Sequence, residues 1–155
     1  MAAQVAVLTL AWNVLTLLMV LPLLELATNT QQDFSGFTAL QGDRRLLLIM
    51  LALTWTLAAV GEKFTFRGYL QTRMRELLPG RLGLITAVVL SSVLFGLVHT
   101  EQGIVGVIVT TADGVFFSAL QYHFRTVWAA VVSHGVSNTA GMVVFFLFGA
   151  VHAPS

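Results

Sequence analysis

The chain carries side chains of the types that activate water, in three separate places. They are a carboxylate, two imidazoles and a carboxamide: Glu62, His99, His134 and Asn138. Each lies inside or at the end of a long apolar stretch. A charged residue at the centre of a membrane helix costs roughly 2.5 to 3.5 kcal/mol on insertion scales, so such a residue is by default a hypothesis for a functional site.

One carboxylate and two imidazoles support two related kinds of chemistry. Glu62, His99 and His134 are the ligand types of a catalytic zinc site that keeps one position open for water. Without a metal, the same side chains would form a general base with positioned imidazoles. Asn138 would donate to an oxyanion or orient His134. Both arrangements direct an activated water at a carbonyl group within a bilayer.

Taken alone, each stretch has an ordinary structural interpretation. Glu62, Lys63 and Arg67 place three charges within six residues. Such a cluster also occurs at the end of a membrane helix, where lipid headgroups solvate the charges. His134 and Asn138 lie four residues apart on one helical face, where they would also form an interhelical hydrogen-bond clamp. The occurrence of all of them on three different helices favours a shared site.

The composition indicates an integral membrane protein. Of 155 residues, 57% are hydrophobic and only 10% are charged, and the mean hydropathy is +0.86, whereas about a quarter of an ordinary soluble domain is charged. The net charge of +1, with no basic stripe, argues against a nucleic-acid partner. The absence of cysteine from the sequence excludes disulfides, a thiolate nucleophile and a cysteine-ligated metal.

Apolar runs of about 20 residues predict an all-α, polytopic membrane protein with about five transmembrane helices in a single bundle. We expect residues 1–45 to form an N-terminal helix and a polar connector, 46–150 a membrane core that holds the candidate site, and 151–155 a frayed tail. Pro22 is expected to kink or end the first helix, and Pro79-Gly80 to end the second. The predicted helices are 5–27, 46–75, 82–99, 104–122 and 127–148.

The arginines predict the orientation of this multi-pass protein in its bilayer. Arg73, Arg75, Arg81 and Arg125 fall in connectors on one side, and the other side has only Arg44 and Arg45. The positive-inside rule then places the N-terminus in the cytoplasm, and the protein in the plasma membrane if it is prokaryotic. No Lys or Arg precedes the first apolar run, which is longer than the core of a signal peptide, so we interpret it as a retained helix.

The polar stretches together resemble a known family. Glu62 to Arg67, Phe95 to His99 and His134 to Asn138 are similar to the EExxxR, FxxxH and HxxxN motifs of the CPBP (CAAX protease and bacteriocin-processing, or Abi) family, in the same order. The resemblance spans about half of the chain. It implies that residues 46–150 form a CPBP-like catalytic core.

The resemblance implies an intramembrane endopeptidase that acts on a membrane-associated peptide or protein. Glu62 matches the first glutamate of the family, which is the proposed water-activating base. His99 and His134 match its catalytic histidines, Asn138 its polar partner, and Arg67 a motif arginine that would serve as an internal counter-ion. Members are commonly called metalloproteases, so Zn²⁺ held by Glu62, His99 and His134 is one expectation, and direct catalysis by glutamate and histidine is the other.

One position departs from the family pattern, because Lys63 stands where the second glutamate is expected. Neighbouring helical residues are about 100° apart, so we expect Lys63 to point away from Glu62 and leave the base intact. A cation beside Glu62 would nevertheless favour its charged form, weaken it as a base and oppose metal binding. Asp113 is either a replacement acidic partner or part of a helix break at which Gly114 lines the bundle.

Lys63 therefore keeps a second hypothesis open, in which the protein is a catalytically inactive CPBP-like scaffold or partner-binding protein. A third hypothesis, a small transport or channel subunit, fits less well. The motifs occur in the family's order, and the first and fourth apolar segments carry few polar residues that would line a path. The signatures HExxH, GxGD and GxSG of other intramembrane proteases do not occur in the sequence.

Overall fold

The computed structural model describes residues 1–78 and 80–150, and within them it contains helices and no strand. Five helices are long and apolar enough to cross a membrane, which confirms the predicted all-α membrane fold. Pro79, predicted as a helix stop, and the predicted tail 151–155 lie outside the described residues. The five helices are α1 (Ala2–Thr28), α2 (Arg44–Leu77), α3 (Gly80–Leu97), α4 (Gly103–Phe124) and α5 (Val127–Phe148).

Local sequence explains where several helices begin and end. The Asp43 side chain accepts a hydrogen bond of 2.9 Å from the backbone N–H of Leu46 and caps the start of α2. Thr126 accepts from the N–H of Trp128 in the same way at the start of α5. Asn29 and Arg125 follow α1 and α4 in the left-handed backbone conformation, at φ 51° and 56°, which ends a helix.

Two helices contain wide turns of the π type. One turn, Thr16–Val20, interrupts α1 just before Pro22, and the helix continues to Thr28. Of the two effects predicted for Pro22, a kink or an end of the helix, the end was wrong. Pro22 lies in the first turn of the α-helical part that follows, directly after the wide turn. The other stretch, Thr54–Leu70, forms most of α2 and carries the Glu62 to Arg67 motif. Wide turns inside helices are rare and often mark functional sites.

Helix α5 lies at the centre of the bundle, against α1, α2 and α4. Gly135 of α5 lets the Trp55 ring of α2 lie flat against the helix, since a Cβ there would be 2.5 to 2.7 Å from three ring atoms. Gly96 allows an equally close approach of α3 and α4, because its Cβ would be 2.7 Å from the Val107 carbonyl oxygen. Small residues at such crossings are typical of membrane bundles.

The connector between α1 and α2 is ordered and covers one end of the bundle. It contains a 3₁₀ helix, Ser35–Leu40, and its Gln32 side chain donates a 2.8 Å hydrogen bond to Gln102, which directly precedes α4. The backbone N–H of Asp33 donates to the Gln102 carbonyl at 3.0 Å. Phe37 packs against Phe145 near the end of α5. The connector is therefore attached to the same end of the bundle as the turn between α3 and α4.

Candidate active site

A cavity of about 580 Å³ opens among α2, α3, α4 and α5 beside the connector. Most of its wall is apolar, and a small set of polar side chains converges on it. A mostly apolar pocket with a few convergent polar groups is typical of a binding or catalytic site. The structure brings all four proposed catalytic residues to this one cavity, together with the aspartate weighed as an acidic partner: Glu62, His99, Asp113, His134 and Asn138.

Glu62 and His134 are neighbours across α2 and α5. Oε2 of Glu62 lies 3.5 Å from Nδ1 of His134, and both atoms are buried without a hydrogen-bond partner. The Glu62 side chain is 30% exposed and lines the cavity, so its other oxygen, Oε1, is on the accessible side. The carboxylate therefore has one oxygen enclosed by protein and one that a small molecule in the cavity can reach.

His99 lies just beyond the end of α3, in the turn towards α4. Its Nδ1 is 2.9 Å from the carbonyl oxygen of Phe95, and because a carbonyl can only accept, this nitrogen carries the proton. Nε2 then accepts a hydrogen bond if the ring is neutral and donates one if the ring is protonated. The sequence predicted that the helix would extend to His99. In the structure it ends at Leu97, and the His99 ring bonds the Phe95 carbonyl in its last turn.

Phe95 separates the two imidazoles. Its ring meets the ring of His99 edge to face at a centroid distance of 4.9 Å, and the ring of His134 at 5.8 Å. Phe117 stacks on the other side of His134 at 5.4 Å. Both phenylalanines are almost completely buried. The motif phenylalanine thus acts as a rigid spacer that sets the positions of both histidines.

Lys63 does not point away from the site, and that prediction was wrong. Its side chain is completely buried, and its Nζ lies 3.8 Å from Oε2 of Glu62. Lys63 occupies the middle of the buried face of α2, while Glu62 lies at the edge of that face. The long lysine side chain is flexible enough to bring its end group back to the neighbouring carboxylate, which an argument from Cβ directions does not capture.

Arg67 has a different environment from the one expected. Its guanidinium is fully buried and donates to the carbonyl of Ser91 at 3.3 Å, to the hydroxyl of Ser91 at 3.3 Å, and to the carbonyl of Gly114 at 2.9 Å. No carboxylate among the described residues lies within salt-bridge distance of it. It therefore joins α2 to α3 and α4 through hydrogen bonds and is not paired directly with an acidic side chain, as a counter-ion would be.

Asp113 lines the cavity, and α4 continues through it without a break. The indole N–H of Trp12, on α1, donates a 2.6 Å hydrogen bond to Oδ1 of Asp113. Gly114 does line the bundle, because a Cβ at this position would be 2.8 Å from Nη2 of Arg67. The expected helix break was wrong, whereas the expectation that Gly114 lines the bundle fits the structure.

The side chains that would bind a metal ion decide whether one fits this site. Within residues 1–78 and 80–150, no three His, Asp or Glu side chains converge closely enough to hold a metal ion. The Lys63 ammonium lies 3.8 Å from the carboxylate that would be one ligand, and a cation there opposes a second cation. The expected ligand set of Glu62, His99 and His134 does not fit zinc in this arrangement, and we derive no catalytic step through a metal.

Sequence reasoning missed the contribution of α1. Three of its polar or indole side chains each contact a residue in or beside the site: Thr9 bonds Ser133 at 2.7 Å, Trp12 bonds Asp113, and Asn13 accepts from Ser137 at 2.9 Å. A signal was present, since positions 9, 12 and 13 share one helical face in an otherwise apolar run. That pattern predicts a helix packed against a polar partner.

One comparison with known proteins gave a match. The chain matches the model of the family described as type II CAAX prenyl endopeptidase Rce1-like over residues 44–140. No curated protein and no solved structure matched it. The matched region includes Glu62, His99, His134 and Asn138, and it leaves out α1. Because the match covers more than half of the chain, the protein belongs to the Rce1-like family of type II CAAX prenyl endopeptidases.

Proposed function

We propose that this protein is an intramembrane endopeptidase that hydrolyses a peptide bond in a membrane-associated protein or peptide, with Glu62 as the base that activates water. The observation that carries the proposal is the placement of Glu62 against His134, 3.5 Å apart at the wall of one cavity, in a chain of this family. Membership supports the class of reaction. The residues and their roles are argued from their positions.

Glu62 is suited to the first step because Oε1 faces the cavity while Oε2 is enclosed. In the reaction, Oε1 takes a proton from a water molecule, and the resulting hydroxide attacks the carbonyl carbon of the substrate peptide bond. A bond forms between the water oxygen and that carbon, and the carbonyl π electrons move to its oxygen. A positioned general base contributes about 10² to 10⁴ in rate.

The second step returns the proton to the leaving group. The oxyanion collapses to a carbonyl, the bond between carbon and nitrogen breaks, and the departing amine takes the proton held by Glu62. The products are one carboxylic acid and one amine, whose atoms together equal the substrate and one water. Glu62 is then a carboxylate again, and the cycle needs no further reactant.

His99 and Asn138 are suited to the charge that develops between these steps. Both line the cavity, His99 from the turn between α3 and α4 and Asn138 from one turn beyond His134 on α5. A carboxamide N–H or a protonated imidazole N–H stabilises an oxyanion, and removing one such donor typically costs 10² to 10³ in rate. Since Nδ1 of His99 is engaged with Phe95, Nε2 is the nitrogen that serves the reaction.

The apolar wall of the cavity fits a substrate segment that lies in or near the bilayer. Side chains of α2, α5 and the connector form this wall: Phe37, Leu40, Met50, Leu53, Leu57, Met142 and Phe145. Such a surface binds apolar side chains through the hydrophobic effect, which is not directional. The polar groups of the candidate site line the same cavity, so a bound segment could present its backbone to them.

The test is cleavage of a membrane-anchored peptide by the full chain in proteoliposomes. Glu62→Gln keeps the shape of the side chain and removes the base, so we expect at least a 100-fold loss of kcat. Glu76→Gln, on the exposed end of α2, is the matched control and should retain full activity. Full activity of Glu62→Gln would overturn the proposal.

One observation supports a second candidate, a membrane protein that binds such substrates without cleaving them. Lys63 stands where the family motif has an acid, and its Nζ is 3.8 Å from the proposed base. In that case, a photo-crosslinking peptide would label the cavity of wild type and Glu62→Gln equally, with no product from either. Cleavage by the wild type excludes this candidate.

A further inference from the structure

Lys63 has no role in the steps above, although it is one of the two largest side chains that are completely buried. It does not line the cavity, unlike its neighbour Glu62. It therefore contacts no substrate, and any effect on the reaction must pass through another residue. Burying a lysine is expensive unless its end group is paired, so the groups around Nζ show what holds it there.

Three groups surround the Lys63 end group. Nζ lies 3.6 Å from the ring centre of Phe95 and 4.6 Å from that of Phe117, which is the geometry of a cation over two aromatic faces. The third group is Oε2 of Glu62 at 3.8 Å. Nζ has no hydrogen-bond partner. Two electron-rich ring faces and one carboxylate offset part of the cost of burying the ammonium.

The two rings that contact Lys63 are the rings that position the histidines. Phe95 packs against His99 and His134, and Phe117 stacks on His134. Lys63 therefore contacts the proposed base directly, and each histidine through one intervening ring. A lysine that only filled space on the buried face of α2 would have no reason to meet all of these groups.

We propose that Lys63 is a positioning residue of this active site, whose ammonium holds Oε2 of Glu62 in the protein interior so that Oε1 faces the cavity. The inference rests on the proposed function for its effect on catalysis. It gives this chain an internal cation where the family motif has a second acid. Among the described residues, Glu62 is the only carboxylate within 4 Å of the Lys63 end group.

The first experiment measures catalysis by the full chain in proteoliposomes. Lys63→Met keeps the length of the side chain and removes the charge. We expect kcat to fall 10-fold to 100-fold, because losing the fixed orientation of Oε1 outweighs the stronger base that Glu62 becomes without the cation. KM should change less than twofold, because Lys63 does not contact substrate. Arg73→Met removes an exposed cation from the same helix and is the matched control. An unchanged kcat for Lys63→Met, or a fall equal to that of the control, overturns the inference.

The second experiment does not depend on activity. Thermal unfolding in one detergent is compared for wild type, Glu62→Gln, Lys63→Met and the double variant. We expect Glu62→Gln to lower the Tm by leaving the ammonium without its carboxylate, and addition of Lys63→Met to recover most of that loss. Additive Tm changes would overturn the inference.

The two experiments separate this inference from the proposed function. Coupled Tm changes in a protein whose wild type cleaves no substrate support the pairing of Lys63 with Glu62 and overturn the proposed function. Additive Tm changes in a protein whose wild type cleaves substrate overturn the pairing of Lys63 with Glu62 and support the proposed function. Coupled Tm changes with kcat unchanged in Lys63→Met show a structural ion pair and overturn the positioning role.

Discussion

Trp12 and Asp113 are joined by a 2.6 Å hydrogen bond from the indole N–H to Oδ1, which links the first helix to the wall of the cavity. The same indole stacks on Phe116 at a centroid distance of 4.9 Å and an angle of 8° between the rings. Helix α1 lies outside the region that matches the family. The site of this protein is therefore held together partly by a helix that the family match does not include.

Trp12→Phe tests this link, because it removes the indole N–H and keeps a ring on Phe116. Asp113 then loses a donor, and a buried group left without its partner costs about 1 to 3 kcal/mol. We expect a fall in Tm and a reduction of kcat/KM of about 10-fold in the proteoliposome assay. Trp128→Phe, on an exposed side chain, is the matched control. Equal Tm and equal kcat/KM for both variants would contradict a role of the hydrogen bond from Trp12.

Arg67 is expected to stabilise the fold more than it affects the chemistry. Arg67→Met removes the donor that joins α2 to the carbonyl of Gly114 and the hydroxyl of Ser91. Ser118 and Gln71 remain as donors to these two groups, so the free energy of unfolding should fall by about 1 to 3 kcal/mol. The measurement is thermal unfolding in detergent, with Arg75→Met on the exposed face as control. Gly114→Ala should reproduce part of the loss, because its Cβ would lie 2.8 Å from Nη2 of Arg67. A wild-type Tm in both variants would contradict the arrangement.

His99 and His123 are a matched pair of histidines, one at the cavity and one exposed at the end of α4. We expect His99→Ala to lose at least 100-fold in kcat, since Nε2 is the nitrogen available to the reaction. His123→Ala should retain full activity. The comparison uses the same peptide substrate and equal amounts of folded protein. Equal activity of the two variants would remove His99 from the mechanism.

The donor arrangement also predicts how the protein responds to zinc. Purified wild-type protein should contain far less than one zinc per chain by elemental analysis, and a strong chelator should leave cleavage within twofold of the untreated rate. Lys63→Glu replaces the buried cation by a carboxylate next to Glu62 and should raise the zinc content. Stoichiometric zinc in the wild type, with activity lost on chelation and restored by zinc, would contradict this prediction.

The predicted orientation is testable because the chain has no native cysteine. Ala39→Cys lies in the exposed connector, and Thr72→Cys lies near the arginine-rich end of α2. An impermeant thiol reagent added to intact cells should label position 39 and not position 72, because the excess of arginine is expected in the cytoplasm. After lysis both should react. Labelling of position 72 alone in intact cells would reverse the topology.

The sequence was sufficient for the fold because apolar length alone specifies a membrane helix. It also singled out Glu62, His99, His134 and Asn138 as candidates, since polar residues in such helices are few, and the structure places all four at one cavity. It did not predict the position of Lys63, because that position depends on how a flexible side chain folds back within a packed bundle.

Other features of the site were also beyond the sequence. The partners of Arg67 and of Trp12 are set by contacts between helices that are distant in the chain, so no local pattern specifies them. Asp113 shows the same limit, since its position in α4 did not reveal which helix would bond it. The packing of distant helices determines these hydrogen-bond partners, and the local pattern of residues does not.

The π-type geometry of Thr54–Leu70 has a consequence for how this stretch tolerates change. Its hydrogen bonds join residues five apart, and five is also the interval between Glu62 and Arg67. The length of this stretch is therefore constrained as tightly as the identity of its charged residues. One residue gained or lost before Glu62 would turn every later side chain by about 100° about the helix axis, so Glu62, Lys63 and Arg67 would all face different surroundings although none had been replaced.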